Sequence, residues 1–250
     1  MEKCNIPSEG RPCGRPSGKI HSFQSLGAVD GPGIRYVIFM QGCPYRCPWC
    51  HNPDTQDRAG GETYSVEELV ARIRRYKTYF SGGGGVTLSG GEPLLQQEFA
   101  TDLFRALHDE GISTALDTAG RRPNEATRAL LAETDTVLCD LKFCTDEDYR
   151  RHIGISLHDV LAFLALCEEM GKDVVIRHVV VPGMTDDPEH VRCIAALARS
   201  VVSNPRIELL PFRKLCMEKY ERLGIPFPVA HVPECSAETI ERLTRMINEG

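Results

Sequence analysis

Gly42-Cys43-Pro44-Tyr45-Arg46-Cys47-Pro48-Trp49-Cys50-His51-Asn52 is the stretch around which this chain is organised. Its three cysteines stand at C-x3-C-x2-C spacing, so three thiolates from one tight loop can converge on a single inorganic centre. Pro44 and Pro48 stiffen the backbone between them. A cubane iron–sulfur cluster normally takes four cysteines. Three leave one iron without a protein thiolate, open to a substrate or cofactor. Two plainer readings compete. A zinc site wants four ligands in a tetrahedron, and His51, adjacent to Cys50, can hardly reach the same ion. A redox pair at Cys47-Pro48-Trp49-Cys50 leaves Cys43 unexplained. The cluster reading accounts for all three cysteines.

Immediately before the loop, residues 35–41 (Arg-Tyr-Val-Ile-Phe-Met-Gln) form a short apolar, β-rich run. That run reads as the first buried strand, which sets the cysteines at a strand end. Ser65 and Glu68 make a capping-box pattern, followed by Val66, Leu69, Val70, Ile73 and Tyr76 at helical spacing. Strands and helices then alternate. Strands are predicted at 86–89, 113–117, 136–141, 173–181 and 206–210. Helices are predicted at 98–109, 124–133, 157–170, 188–201 and 236–248, the last with Ser236 as its N-cap. Six βα units with short connections imply a parallel sheet with right-handed crossovers. Periodicity alone does not separate a doubly wound sheet from a barrel. In either fold the chemistry collects at the C-terminal ends of the strands. The cysteine loop, Ser89-Gly90-Gly91-Glu92, Asp117-Thr118, Asp140-Leu141-Lys142 and Pro211 all fall there.

The chain has 250 residues, 42% of them hydrophobic, and a net charge of −6. That length and composition suit one domain, 18–250, with a substantial core. Residues 1–17 are rich in Gly, Pro and charge, and read as a flexible leader. Cys4 and Cys13 in it read as incidental. No Lys/Arg block stands out, so nucleic acid is not expected as a partner. Eleven cysteines is a high count, but the odd number and scattered spacing do not make a disulfide framework. There is no signal-peptide core. The longest apolar run, 160–167, is far too short to span a bilayer, so no membrane is expected and the cytoplasm is the natural compartment.

The wider pattern carries a resemblance. Gly18-Lys19-Ile20-His21-Ser22-Phe23, Val29-Asp30-Gly31-Pro32-Gly33-Ile34-Arg35, Gln41-Gly42-Cys43 and Cys50-His51-Asn52-Pro53, with the triad, resemble the pyruvate formate-lyase activating enzymes. These are radical S-adenosylmethionine (SAM) proteins. The likeness runs, with gaps, from Gly18 to Pro211 and weakens from Arg213 onward. It implies an incomplete (β/α)6 barrel. It implies one [4Fe–4S] cluster on Cys43, Cys47 and Cys50, with SAM on the open iron. The implied reaction is reductive cleavage of SAM to a 5′-deoxyadenosyl radical, which abstracts hydrogen from a glycine of a large glycyl radical enzyme, with reduced flavodoxin or ferredoxin as donor. The activase is expected to be a monomer.

The resemblance also assigns residues. Two glycines let backbone approach a ligand closely, and Gly90, Gly91 and Glu92 match the family's element for the SAM amine. Trp49, Asp117, Thr118, Asp140, Lys142 and Arg177 match positions around SAM. Asp117, Thr118 and Asp140 match oxygen ligands of a monovalent cation, Na+ or K+. Asp30 and Gly31 match positions beside the bound glycyl segment. Arg213 departs from the family's usual residue and is expected to stack on, or hydrogen-bond, the nucleoside. The linker from Asn52 to Ser65 lacks the cysteine-rich insert of some related activases, so a single cluster is expected. Cys139, Cys144, Cys167, Cys193, Cys216 and Cys235 read as ordinary thiols. The rivals are an activase of another glycyl radical enzyme, a radical SAM enzyme acting on a small molecule, and a zinc-binding interaction protein.

Overall fold

Near-continuous apolar runs make strands that are buried on both faces. In the computed structural model, which describes residues 16–249, six strands lie side by side, five of them largely buried and the edge strand mostly not. They are β2 (Arg35–Met40), β4 (Gly85–Gly90), β5 (Ser113–Thr118), β6 (Thr136–Asp140), β7 (Asp173–Val180) and β8 (Arg206–Pro211). Each is parallel to the next, in chain order. A doubly wound sheet reverses its strand order at a switch point. This one never does, so right-handed crossovers put the helices on one side and the sheet curls toward a barrel that does not close. Leader residues 1–15, with Cys4 and Cys13, lie outside the described residues. Ser17, expected in that leader, already pairs with Ser65 as a strand residue.

The helices follow the sequence pattern closely. α1 (Val66–Ile73) starts with a reciprocal capping box: the Glu68 amide donates to Ser65 Oγ and the Ser65 amide to the Glu68 carboxylate. α2 (Gln97–Asp109) buries Phe99, Leu103 and Leu107. α3 (Glu125–Ala132), a turn of α4 (Asp146–Asp148) running into a π segment, α5 (Leu157–Glu169) and α6 (Pro188–Val201) cover the later strands. α8 (Ala237–Asn248) is capped by Ser236 and buries Leu243 and Ile247.

Three elements go beyond the sequence expectation. β1 (Ser17–Gly27) pairs antiparallel with β2, and β3 (Glu62–Ser65) pairs antiparallel with β1, extending the sheet to eight strands. α7 (Met217–Leu223) lies in the segment from Arg213 to Cys235, for which no element was predicted. The β1–β2 loop folds back toward the strand starts, where Thr87 Oγ1 donates to the Asp30 carbonyl at 2.7 Å. Arg35, 1% exposed, spans that end of the barrel, with Nε donating to Thr87 Oγ1 at 3.0 Å and Nη1 to Ser113 Oγ at 2.9 Å. Register sets the charged row that matters for function: Asp140 pairs with Arg177, and Arg177 with Glu208, on successive strands.

Candidate active site

The cysteine loop leaves the C-terminal end of β2 at Gly42, which turns the chain at φ +96°. The Gly42 amide donates to the Thr55 carbonyl at 2.7 Å, and the Arg46 amide to the Ile153 carbonyl at 3.3 Å. The Tyr45 hydroxyl donates to the Gly120 carbonyl at 2.7 Å. From α7, the Tyr220 hydroxyl donates to the Cys50 carbonyl at 3.1 Å and Lys219 Nζ to Asn52 Oδ1 at 2.8 Å. Held this way, Cys43, Cys47 and Cys50 line one cavity of about 520 Å³. All three are free thiols. Burial pushes Cys43 up to about 12 and Cys47 up to about 11, and raises Cys50 as well. A metal centre that binds them must displace their protons. Among the described residues, no three His, Cys, Asp or Glu side chains group closely enough for one metal ion, the triad included. A cubane presents its irons at separate corners, so it takes thiols spread more widely than a tetrahedral zinc site does.

The turn after β4 lies directly on this loop. Gly90 sits at φ +94°, and a methyl there would stand 2.6 Å from Phe39 Cα. The Gly91 amide donates to the Met40 carbonyl and the Glu92 amide to the Gly42 carbonyl, each at 2.9 Å. Glu92 itself lies behind the turn. Its carboxylate is 1% exposed and is not part of the cavity wall. It accepts from the Leu94 amide at 3.0 Å, the Ala119 amide at 3.0 Å and the Thr118 hydroxyl at 2.6 Å. Burial raises its pKa to about 7. Glu92 thus braces the ends of β4 and β5 just behind the cavity wall. Thr118 reaches the cavity wall, with its hydroxyl donating to Glu92 at 2.6 Å and accepting from the Gly120 amide at 3.0 Å.

Four charged groups complete the wall. Asp117 Oδ2 accepts from the Ser89 hydroxyl at 2.6 Å, while its Oδ1 lies 3.6 Å from Arg177 Nη1. Asp140 Oδ2 lies 2.5 Å from Lys142 Nζ. Arg177 Nη2 donates to the Val29 carbonyl at 3.2 Å. Burial raises the Asp117 pKa against the pull of Arg177. Burial opposes the Lys142 charge, yet Asp140 and Cys47 hold its pKa above the ordinary value. Two carboxylates and two cations facing one cavity suit a zwitterionic ligand, whose amine and carboxylate need opposite partners.

The remaining predicted residues divide. Trp49 lines the cavity and packs against Phe143 with ring centres 5.4 Å apart. Arg213 also lines it, with its guanidinium donating to the Cys235 carbonyl at 3.0 Å. Its backbone carbonyl, rather than its charge, faces His51, whose Nε2 lies 2.9 Å away. Asp30 does not reach the cavity; its neighbour Val29 does. The buried Asp30 Oδ2 has no hydrogen-bond partner, and burial raises its pKa against Arg177 and Arg35. Gly31 lines an adjoining recess of about 310 Å³, with Val29, Leu138, Val175, Glu208 and Leu210. Val29 and Leu210 belong to both spaces. Sequence reasoning missed Tyr45 and Val29. Tyr45 sits inside the quoted stretch and was legible as an aromatic beside a ligand.

The Radical SAM superfamily pattern matches residues 37–194. The chain is 42% identical over 233 residues to the pyruvate formate-lyase-activating enzyme of Clostridium pasteurianum, spanning 93% of this chain and 98% of that one. This chain belongs to the pyruvate formate-lyase-activating enzyme family of radical SAM proteins. It is also 42% identical over 235 residues to the pyruvate formate-lyase 1-activating enzyme of Escherichia coli, covering 93% and 96% of the two chains. A radical SAM methyltransferase from Sphaerobacter thermophilus shares the fold, with a TM-score of 0.63 at 19% identity over 86% of this chain and 64% of that one. Membership in the radical SAM family implies a [4Fe–4S] cluster and SAM. The residues present fit both: three free thiols share one cavity with a paired set of carboxylates and cations. The open, sequentially ordered sheet is the partial barrel of such proteins.

Proposed function

We propose that this chain is an activase that installs a radical on a glycine of a glycyl radical enzyme, with pyruvate formate-lyase the first candidate. One observation carries the reading: the cysteine triad and the charged wall share one cavity at the strand ends of an unclosed barrel, and that cavity shares Val29 and Leu210 with the recess that reaches toward the strand starts. When bound, the cluster and SAM supply one-electron cleavage of the sulfonium and a 5′-deoxyadenosyl radical that takes the glycine hydrogen. Cys43, Cys47 and Cys50 would hold the cluster. The backbone at Gly90 and Gly91, with Asp117 and Asp140, would orient the SAM amine, and Lys142 and Arg177 its carboxylate. A Na+ or K+ between Asp117 and Asp140 belongs to the proposal, since both carboxylates face one cavity. Trp49 and Leu210 would exclude water. The recess lined by Gly31 and Val29 would receive the glycine-bearing loop, with Asp30 fixing the turn from behind. A polypeptide backbone needs hydrogen-bond partners along its length, and the Gly31 turn supplies backbone groups there.

Reduced flavodoxin or ferredoxin is the proposed donor. Pro44 and Arg46 are exposed, which brings the cysteine loop to the surface. Among the described residues no helix is long and apolar enough to cross a membrane, and we propose a monomer working in the cytoplasm. The test is electron paramagnetic resonance of the iron-loaded protein mixed anaerobically with SAM, a reductant and pyruvate formate-lyase. A glycyl radical doublet is expected. Formation of 5′-deoxyadenosine without that doublet, on any glycyl radical enzyme tried, would shift the reading to a small-molecule substrate.

A further inference from the structure

Outside the active site, the loop after β6 meets α6 in a cluster that the proposed reaction does not use. Cys144 Sγ lies 3.3 Å from His190 Nδ1. His190 and Cys193 are three residues apart on α6 and so share one face. The Cys144 sulfur, seated against His190, therefore neighbours the Cys193 thiol. The His190 ring packs between Phe143 and His178, at 6.1 Å and 5.4 Å, and its buried Nε2 has no hydrogen-bond partner. Both thiols are half-buried, so a small solute can reach them, whereas Cys139 and Cys167 are fully buried.

We propose that Cys144 and Cys193 are a peroxide-reactive dithiol that closes to a disulfide between the loop after β6 and α6. The oxidant is a hydroperoxide. The Cys193 sulfur attacks one peroxide oxygen and the O–O bond breaks, giving a sulfenic acid and, from hydrogen peroxide, water. The Cys144 sulfur then attacks the sulfenic sulfur; the S–S bond forms and the S–O bond breaks. The hydroxyl leaves as a second water with the Cys144 proton, which His190 Nδ1 is placed to relay. Two thiols lose two electrons and one peroxide gains them. Burial and the Cys193 contact raise Cys144 to about 12, so it holds its proton and attacks only as His190 takes that proton away. Burial lowers the His190 pKa, so its ring is neutral and able to accept. The bond would tie down the segment just past Lys142, whose ammonium faces the active site. It would also record peroxide exposure at a place separate from the cluster ligands.

The test uses the iron-loaded protein under anaerobic conditions with one equivalent of hydrogen peroxide, followed by alkylation, digestion and mass mapping. The expected product is a Cys144–Cys193 linked peptide, lighter by two hydrogens and reversed by dithiothreitol. Cys139 and Cys167 should stay reduced and become alkylatable only on unfolding. The unfolding midpoint of the oxidised protein should rise by about 5 °C. Cys193→Ser should abolish the link and leave Cys144 free to alkylate. Mapping of the unaltered protein stands on its own if that variant folds poorly. Peroxide consumed while the pair stays unlinked, or Cys144 found joined to another cysteine, overturns the proposal.

Discussion

Gly91→Ala places one methyl group where the structure has no room. That methyl would stand 2.3 Å from the Gly42 carbonyl oxygen, whereas ordinary contact begins at 3.4 Å. Either the turn or the Gly42 carbonyl must retreat by about 1.1 Å. The hydrogen bond from the Glu92 amide to that carbonyl, now 2.9 Å, is then lost. Overpacking costs about 1–3 kcal/mol, and an unpaired buried amide about 1–3 kcal/mol more. For a chain of this size, a loss of ~4 kcal/mol lowers the unfolding midpoint by roughly 8–16 °C. Gly42 directly precedes Cys43, so the retreat also moves a cluster ligand further than the ~0.5 Å that such sites tolerate. Iron should therefore fall below one cluster per chain even at temperatures where the variant is folded. The assay is iron and sulfide per chain after anaerobic reconstitution, beside a thermal melt. Gly82→Ala is the comparison: its backbone is also at positive φ, +82°, but its methyl meets nothing within 4 Å. It should cost about 1 kcal/mol and keep its iron. A Gly91→Ala protein with full iron and an unchanged midpoint would refute the reasoning.

Replacing Cys43, Cys47 or Cys50 with Ala should abolish cluster binding, while Cys139→Ala should keep it; equal loss from all four would show that the triad is not the ligand set. Burial pushes the Glu92 carboxyl in the folded chain up to about 7, from an ordinary value of 4.5. Between those values the folded chain holds a proton that the unfolded chain lacks, so stability should fall as pH rises from 4.5 to 7. Urea titrations of Glu92→Gln should lose that slope, and a retained slope would place the proton elsewhere. Glu92→Ala strips the acceptor from three donors, at about 1–3 kcal/mol each, and should lower the midpoint along with SAM affinity. Asp30 has its pKa raised by burial, so its contribution to stability is full below the ordinary carboxylate range and is lost as pH rises through the raised value. Asp30→Asn should accordingly be no less stable at pH 7 and bind iron normally, yet yield less glycyl radical; an unchanged activation rate would make the turn purely structural.

The parallel strands were legible because each is a compact apolar run flanked by turn residues, and burial on both faces leaves little alternation to misread. β1 was not. Its burial alternates only in part, and its register with β2 slips between Ile20 and Ser22 and again between Gln24 and Gly27. β3 is four residues long and mostly exposed, and α7 is only seven residues, too short to show a helical repeat. Within the site, position was readable and direction was not. Asp117, Asp140, Lys142 and Arg177 reach the cavity from the ends of β5, β6 and β7: Asp140 and Arg177 are register partners, Asp117 pairs with Leu138 two residues before Asp140, and Lys142 follows two residues after it. Glu92 and Asp30 do not reach the cavity, because a single turn decides which way a carboxylate points. Glu92 finds two amides and a hydroxyl behind the turn, and nothing in the chain order announces them.

The clasp of α7 on the cysteine loop also has a consequence in time. Tyr220 closes on the Cys50 carbonyl across a separation of 170 residues. At a synthesis rate of roughly 5–20 residues per second, the three thiols emerge on the order of ten to thirty seconds before the residue that braces them. During that interval the loop can hang from β2 with its Cys50 side unlatched. Iron and sulfide delivered then would meet a more yielding ligand set than the finished protein offers. Chains that complete synthesis without them would present the same thiols on a loop already braced by α7.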